Sequence, residues 1–147
     1  VPDPSLACVF CRIASGAEPA PIVFEDDSSL GFLDHRPVFP GHVLLIPKQH
    51  VETLSDLPAA LIQPFFSPAQ LLARAVESAL AADGTFVAIN NRVSQSVPHL
   101  HLHIVPRRKK DGLRGFFWPR QPYKSNEEME QVRKSIADAV VRLRAGA

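Results

Sequence analysis

Apolar positions along this chain change their period several times, and each change marks an element. Residues 8–14, Cys-Val-Phe-Cys-Arg-Ile-Ala, repeat apolar side chains at helical spacing, and Gly16 can end the short helical turn they predict. Pro19 and Pro21 bound a strand over 22–25; Asp26-Asp27-Ser28-Ser29 turns the chain, and residues 30–33 return as the second arm of a hairpin. The run Val43-Leu44-Leu45-Ile46 is continuous and apolar, which predicts a strand over 42–46 buried on both faces and stopped by Pro47. A helix is predicted from near Pro58 through Leu72, Val76 and Leu80 to Ala82, with Ser55 or Asp56 as its cap and Gly84 as its end signal. Pro64 and Pro68 should kink or split it. Residues 86–89 read as a fourth strand.

The fifth strand concentrates the chemistry. In Ser96-Val97-Pro98-His99-Leu100-His101-Leu102-His103-Ile104-Val105-Pro106, three of the six histidines stand at alternate positions. Side chains on a strand alternate faces, so Leu100, Leu102 and Ile104 point one way and the three imidazoles the other. At about 3.3 Å per residue the outer two are roughly 13 Å apart, too far to share one phosphate or one metal equally. Taken alone, such a line suits a metal site or a nucleophilic site. Its flanks favour an anionic ligand: Asn90, Asn91, Gln95 and Ser96 precede it, and Arg107, Arg108, Lys109 and Lys110 follow.

Residues 106–124, with the aromatic set Phe116, Phe117, Trp118 and Tyr123, read as a long structured loop. Seven basic residues between 107 and 124 face Asp111 alone, a cluster able to attract a small polyanion. The last helix, 125–145, opens on a capping box of Ser125 with Glu128. Its stripe of Met129, Val132, Ile136, Val140 and Leu143 suits core or subunit packing.

Composition sets the frame. With 147 residues, 46% of them hydrophobic, one globular domain is expected, with residues 1–7 loosely held. A formal charge of +1 gives no overall reason to expect nucleic-acid or membrane binding. There is neither an apolar run of membrane-spanning length nor a signal-peptide pattern, so a cytoplasmic protein is expected. Two cysteines are too few for a disulfide framework, and Cys8-x-x-Cys11 in a reducing compartment suggests zinc or redox work.

The stretch His99-Leu100-His101-Leu102-His103-Ile104-Val105 resembles the His-φ-His-φ-His-φ-φ signature of the histidine triad family, where φ is apolar. The likeness extends over about residues 8–107, through Phe24-Glu25-Asp26, Leu33-Asp34, Gly41-His42, Pro47-Lys48-Gln49-His50, Asn90 and Gln95-Ser96. It implies an α+β fold: a five-stranded, mostly antiparallel sheet with two main helices, pairing as a homodimer with a ten-stranded sheet. It also implies a nucleotide hydrolase or transferase that cleaves phosphoramidates, nucleotidyl-lysine or dinucleoside polyphosphates at the α-phosphorus through a nucleotidyl-histidine. By position, His101 would be the nucleophile and His42 its support from a neighbouring strand. His103, Ser96, Gln95 and Asn90 would contact phosphate or leaving group. Asp34 would bind ribose, and Phe10, Ile13 and Leu33 would wall a purine pocket.

Elementary chemistry agrees with that assignment. A histidine with the ordinary pKa near 6.5 is largely neutral at pH 7, and one ring nitrogen can attack phosphorus if a partner holds the proton on the other. Cys8, Cys11, His50 and His99 supply two thiolates and two imidazoles, the ligand set of a closed structural zinc site, which some family members carry at matching positions. Ser94 departs from the family, which often has Gly there, so a loop needing positive φ is expected to take a different shape. Two readings compete with the enzyme: a nucleotide-binding regulatory dimer with incidental catalysis, and a zinc-dependent hydrolase whose histidine strand holds the active metal.

Overall fold

A computed structural model describes residues 4–113 and 120–146. Of the long loop, Phe116, Phe117 and Trp118 lie outside the described residues. The chain divides into two compact units, one up to Asp111 and the other from Gly112 onward.

In the first unit, short helical segments α1 (Pro4–Ala7) and α2 (Val9–Ala14) lead into strands β1 (Ile22–Glu25), β2 (Ser29–Leu33) and β3 (Val43–Pro47). Helix α3 (Ala59–Leu80), β4 (Gly84–Ile89) and β5 (Leu102–Arg107) follow. Residues 4–7 take one helical turn. The strands form one antiparallel sheet in the order β1-β2-β3-β5-β4. This is the α+β architecture that the sequence implied.

Strand alternation builds two cores from β3. Val43 and Leu45 join Leu100, Leu102 and Ile104 under α3, against Phe65, Leu72 and Val76. Leu44 and Ile46 face the opposite way and pack with Phe10, Ile13, Leu30 and Phe32 beneath α2. All five residues of β3 are buried, and each such Leu, Ile or Val contributes about 1.5–3 kcal/mol. The α2 side of the sheet carries His103, because His103 pairs with Leu44 across β3 and β5 and so shares its face. Gly41 turns the chain into β3 with φ +99, and a Cβ there would run into the Leu80 side chain.

Most strand limits shift by one or two residues, with β3 running through Pro47, and the larger differences from expectation have physical reasons. Helix α3 runs unbroken through Pro64 and Pro68. Pro68 has no N–H for the carbonyl of Pro64, but the buried Ser29 hydroxyl donates to that oxygen at 3.5 Å. Neither Ser55 nor Asp56 caps α3. Asp56 instead closes a separate 3-10 turn (Leu54–Asp56), accepting from the Thr53 backbone N–H at 3.1 Å and the Thr53 hydroxyl at 2.6 Å. The helix stops at Ala81, in the left-handed conformation at φ 51, which frees Gly84 to open β4. Finally, β5 begins only at Leu102. Pro98 offers no donor and the His99 N–H turns back to Val97 O, so His99 and His101 precede the strand. The alternation of apolar side chains persists regardless, since Leu100 still joins Leu102 and Ile104.

The second unit contains α4 (Asn126–Ala145), whose N-cap Ser125 accepts from the Glu128 N–H at 3.1 Å. No residue of α4 is buried, and its stripe of Met129, Val132, Ile136, Val140 and Leu143 is exposed.

Candidate active site and metal-ligand cluster

The hydrogen bonds of the site fix which nitrogen of each imidazole carries its proton. His101 Nδ1 lies 2.7 Å from the carbonyl oxygen of His99. A carbonyl only accepts, so Nδ1 of the neutral ring is protonated and Nε2 holds the lone pair. The Val38 N–H donates to His42 Nδ1 at 3.1 Å, which leaves the His42 proton on Nε2, donating to His103 Nδ1 at 2.9 Å. His103 must then carry its proton on Nε2, a buried nitrogen with no partner among the described residues. The site therefore presents one lone pair and one unused donor, with ring centroids of His101 and His103 5.0 Å apart.

Burial is the largest influence on this pair. It holds His42 below the ordinary histidine value and, with the neighbouring His101 and His42, brings His103 down to about 4. Asp34 opposes both shifts; its Oδ2 lies 3.8 Å from His42 Nδ1, while its Oδ1 accepts the Arg36 N–H at 2.9 Å. Phe10 meets the His101 ring edge-on at 5.2 Å and the Phe32 ring at 5.5 Å, so the two aromatics form an apolar wall on the histidine side of the sheet. Ile13 lies in the same cluster.

Leu33 does not belong to that wall. Successive β2 residues alternate, which puts Leu30 and Phe32 on the histidine side and Leu33 on the α3 side. There it lines an apolar cavity of about 230 Å³ with Val23, Val43, Leu72 and Leu80. The residue missed from sequence is Phe32, and strand parity counted from the buried Leu30 was the signal that could have found it.

The second constellation assembles as the residue types required. Ligand atoms of Cys8, Cys11, His50 and His99 all lie within 4.8 Å of one another. His99 Nδ1 is 3.4 Å from Cys8 Sγ, 3.5 Å from Cys11 Sγ and 3.2 Å from His50 Nδ1, and Cys11 Sγ is 3.2 Å from His50 Nδ1. Such spacings suit the edges of a tetrahedron around one ion with bonds of about 2.0–2.3 Å. His99 Nε2–H donates to the Pro47 carbonyl at 2.8 Å, which leaves Nδ1 as the ligand atom and fixes the plane of the ring. Burial drives His99 down to about 4, so its ring is neutral and available to a metal. A cavity of about 420 Å³, lined by Cys11, Arg12, Lys48 and His50, opens beside the cluster.

The loop before the histidines, residues 90–97, carries the remaining candidates. Asn90 and Ser96 are exposed. Gln95 spends both ends of its amide within the protein: Oε1 accepts the Arg92 N–H at 2.8 Å, and Nε2 donates to Glu52 O at 2.6 Å. Ser94 adopts φ +59 and Arg92 φ +67, so the loop takes the left-handed turn without glycine, at a cost of about 1–2 kcal/mol per residue.

Comparison with known proteins places this geometry. The HIT domain model matches residues 15–110. A solved Zn-bound histidine triad family protein from Mycobacterium smegmatis is 40% identical, with a TM-score of 0.70 over 94% of this chain and 99% of that one. The adenosine 5'-monophosphoramidase hnt1 of Schizosaccharomyces pombe is 34% identical over 92% of this chain and 99% of its own length. The adenylylsulfatase HINT3 of Arabidopsis thaliana is 37% identical over 72% of this chain and 55% of its own. With its domain match, its relatives and its three alternating histidines in agreement, the chain belongs to the HIT, or histidine triad, family.

Proposed function

We propose that this protein hydrolyses or transfers a nucleoside monophosphate group, taking purine phosphoramidates, nucleotidyl-lysine or dinucleoside polyphosphates at the α-phosphorus. The observation that carries this reading is the 2.7 Å contact between His101 Nδ1 and the His99 carbonyl, which leaves Nε2 of His101 as a held nucleophile. The names of the phosphoramidase and the adenylylsulfatase among its relatives support an adenylyl substrate.

In the first step, His101 Nε2 bonds to phosphorus as the bond to the leaving nitrogen or oxygen breaks. The His42–His103 pair takes up one proton as the anionic substrate binds, favoured by Asp34, and His103 Nε2 delivers it to the leaving atom. In the second step, water attacks phosphorus and the His101–phosphorus bond breaks. The water's proton returns to His103 and is released to solvent as the anionic product leaves, so the protein ends as it began. The His99 carbonyl stabilises the charge on His101 between the steps. Ser96 and Asn90 supply donors to the phosphoryl oxygens, and Asp34 binds ribose.

Zinc in the set of Cys8, Cys11, His50 and His99 would act structurally, because four protein ligands leave no position for an activated water. A catalytic metal on the full triad is a poorer reading, since the His99 Nδ1 is already placed among the two thiols and His50. We propose a two-fold homodimer as well, joined through the edge strand β4, where Val87 is exposed.

The test is a panel of adenosine and guanosine phosphoramidates, nucleotidyl-lysine and dinucleoside polyphosphates, with and without chelator. Turnover that needs His101 and survives zinc removal without unfolding supports the enzyme. Binding with no turnover of any substrate selects the regulatory dimer.

A further inference from the structure

The loop that leads to the histidines is anchored by Val97, which packs against the α2-side core, and by hydrogen bonds further upstream. Between Asn90 and Val97 the backbone passes twice through the left-handed region, at Arg92 and Ser94, and both are residues other than glycine. Val93 between them is 80% exposed, so burial does not hold this turn. The segment Val51–Leu54 does. Asn91 Oδ1 accepts the Leu54 N–H at 2.8 Å, Gln95 Nε2 donates to Glu52 O at 2.6 Å, and the Leu100 N–H donates to Val51 O at 2.7 Å. That segment is itself rigid: Val51 and Thr53 are buried, and Thr53 is tied to Asp56 through both its backbone and its hydroxyl.

We propose that Asn91 and Gln95 are positioning residues, which pin the strained 90–97 loop to the Val51–Leu54 segment and so hold Ser96 and the loop amides against the phosphoryl group attacked by His101. Gln95 then acts through the loop, its Oε1 accepting the Arg92 N–H and one of its two amide N–H groups donating to Glu52 O. Left-handed turns can set backbone N–H groups around a concavity that receives an anion, and since the Arg92 and Val93 N–H groups are spent on Gln95 Oε1 and Asn91 O, that role falls to the amides after them. The clamp keeps that concavity open in the absence of ligand, so no ordering is needed when the phosphoryl charge develops. This inference rests on the nucleotidyl-transfer reading above for its catalytic half, and on the geometry alone for its conformational half.

Two substitutions separate clamp from contact. Asn91→Ala removes the acceptor for the Leu54 N–H, while Asn91→Asp keeps an oxygen in the same place. With the best substrate of the panel, Asn91→Ala and Gln95→Ala should each lower kcat by about 10- to 100-fold. Affinity for unphosphorylated nucleoside should stay at the parent level, affinity for the monophosphate should fall, and Asn91→Asp should restore turnover to within about three-fold. Adding Ser94→Gly to Asn91→Ala should recover part of the loss, because glycine takes the left-handed turn without the clamp. Parent-like kcat in Asn91→Ala, with loss only in Gln95→Ala, would make Gln95 a direct phosphate ligand and overturn the proposal. Equal loss in Asn91→Asp and Asn91→Ala would also overturn it. If the parent turns over no substrate, the reading of function fails while the clamp is still decided: amide hydrogen exchange over residues 92–97 of the ligand-free protein should quicken in Asn91→Ala and not in Asn91→Asp, and no change in either removes the clamp.

Discussion

His99 and His101 are joined through a single carbonyl: the ring of His99 stands among two thiols and His50, while its backbone oxygen receives the Nδ1 proton of His101 at 2.7 Å. The residue whose ring joins the thiol cluster thus also supplies the oxygen that sets the tautomer of His101. The proposed metal ligand and the proposed nucleophile stand two residues apart and share that one atom.

Replacing His101 should remove chemistry and spare the fold. His101→Ala is expected to lower turnover on the order of 10,000-fold, while nucleotide affinity changes little. If the covalent step occurs, His103→Asn should slow loss of the leaving group most where that group is a poor one. Intact-mass measurement on a variant slow in hydrolysis should show protein heavier by one nucleoside monophosphate, labile in acid. Near-parent rates in His101→Ala with every substrate would end this mechanism.

Metal loss should act in the opposite sense. A ligand held at about 1,000 times its dissociation constant stabilises by about 4 kcal/mol. Removing zinc should therefore lower Tm by about 8–16 °C for a chain of this size. Elemental analysis should find one zinc per chain, and Cys11→Ser or His50→Ala should lose both metal and thermal stability. Metal-free protein with an unchanged Tm would refute a structural site.

The sequence showed much of this, for reasons that particular residues make plain. Leu100, Leu102 and Ile104 had to share a face because each would otherwise lie among imidazoles, and β3 had to be central because nothing polar interrupts Val43–Ile46. The parts that were not legible depend on long-range partners. Nothing near Pro64 announces that Ser29 will supply its missing donor, and nothing near Gln95 announces Glu52. A motif match alone does not count strand parity, and it is parity that sets Leu33 on the α3 side.

That parity has a measurable consequence. Phe32→Leu keeps most of the buried volume but removes the ring beside Phe10, and should weaken nucleoside binding by about three- to ten-fold. Leu33→Ala, on the α3 side, should leave nucleoside affinity at the parent value. The reverse pattern in calorimetric titration would restore Leu33 to the pocket.

Ser94 offers a stabilising change. At φ +59 it takes a conformation that glycine adopts freely, so Ser94→Gly should raise stability by about 1 kcal/mol in denaturant unfolding. A loss of stability would mean that the Ser94 side chain contributes more than its backbone strain costs.

Acid should destabilise the protein in a definite window. His103 is held neutral down to about 4, while an unfolded histidine takes up a proton near 6.5, so between these values the unfolded state binds more protons. Stability must then fall as pH drops from about 6.5 towards 4 and change little above that range on this account. The groups facing His103 are His42, His101 and Asp34. His103→Asn should flatten the difference in Tm between pH 5 and pH 7 relative to the parent, and an unchanged slope would show that other groups carry it.

The hydroxyl of Ser29 makes two distant positions answer to each other. Ser29→Ala alone strands the Pro64 carbonyl inside the protein, whereas Pro68→Ala gives that carbonyl a helical donor and leaves the hydroxyl with nothing to do. The two replacements together should cost less than their separate effects summed, a positive coupling in a double-mutant cycle. The order of change then matters for the lineage of this chain: a helix that has accepted Pro68 can no longer lose the serine in β2 cheaply, and a strand that has lost the serine can no longer admit the proline.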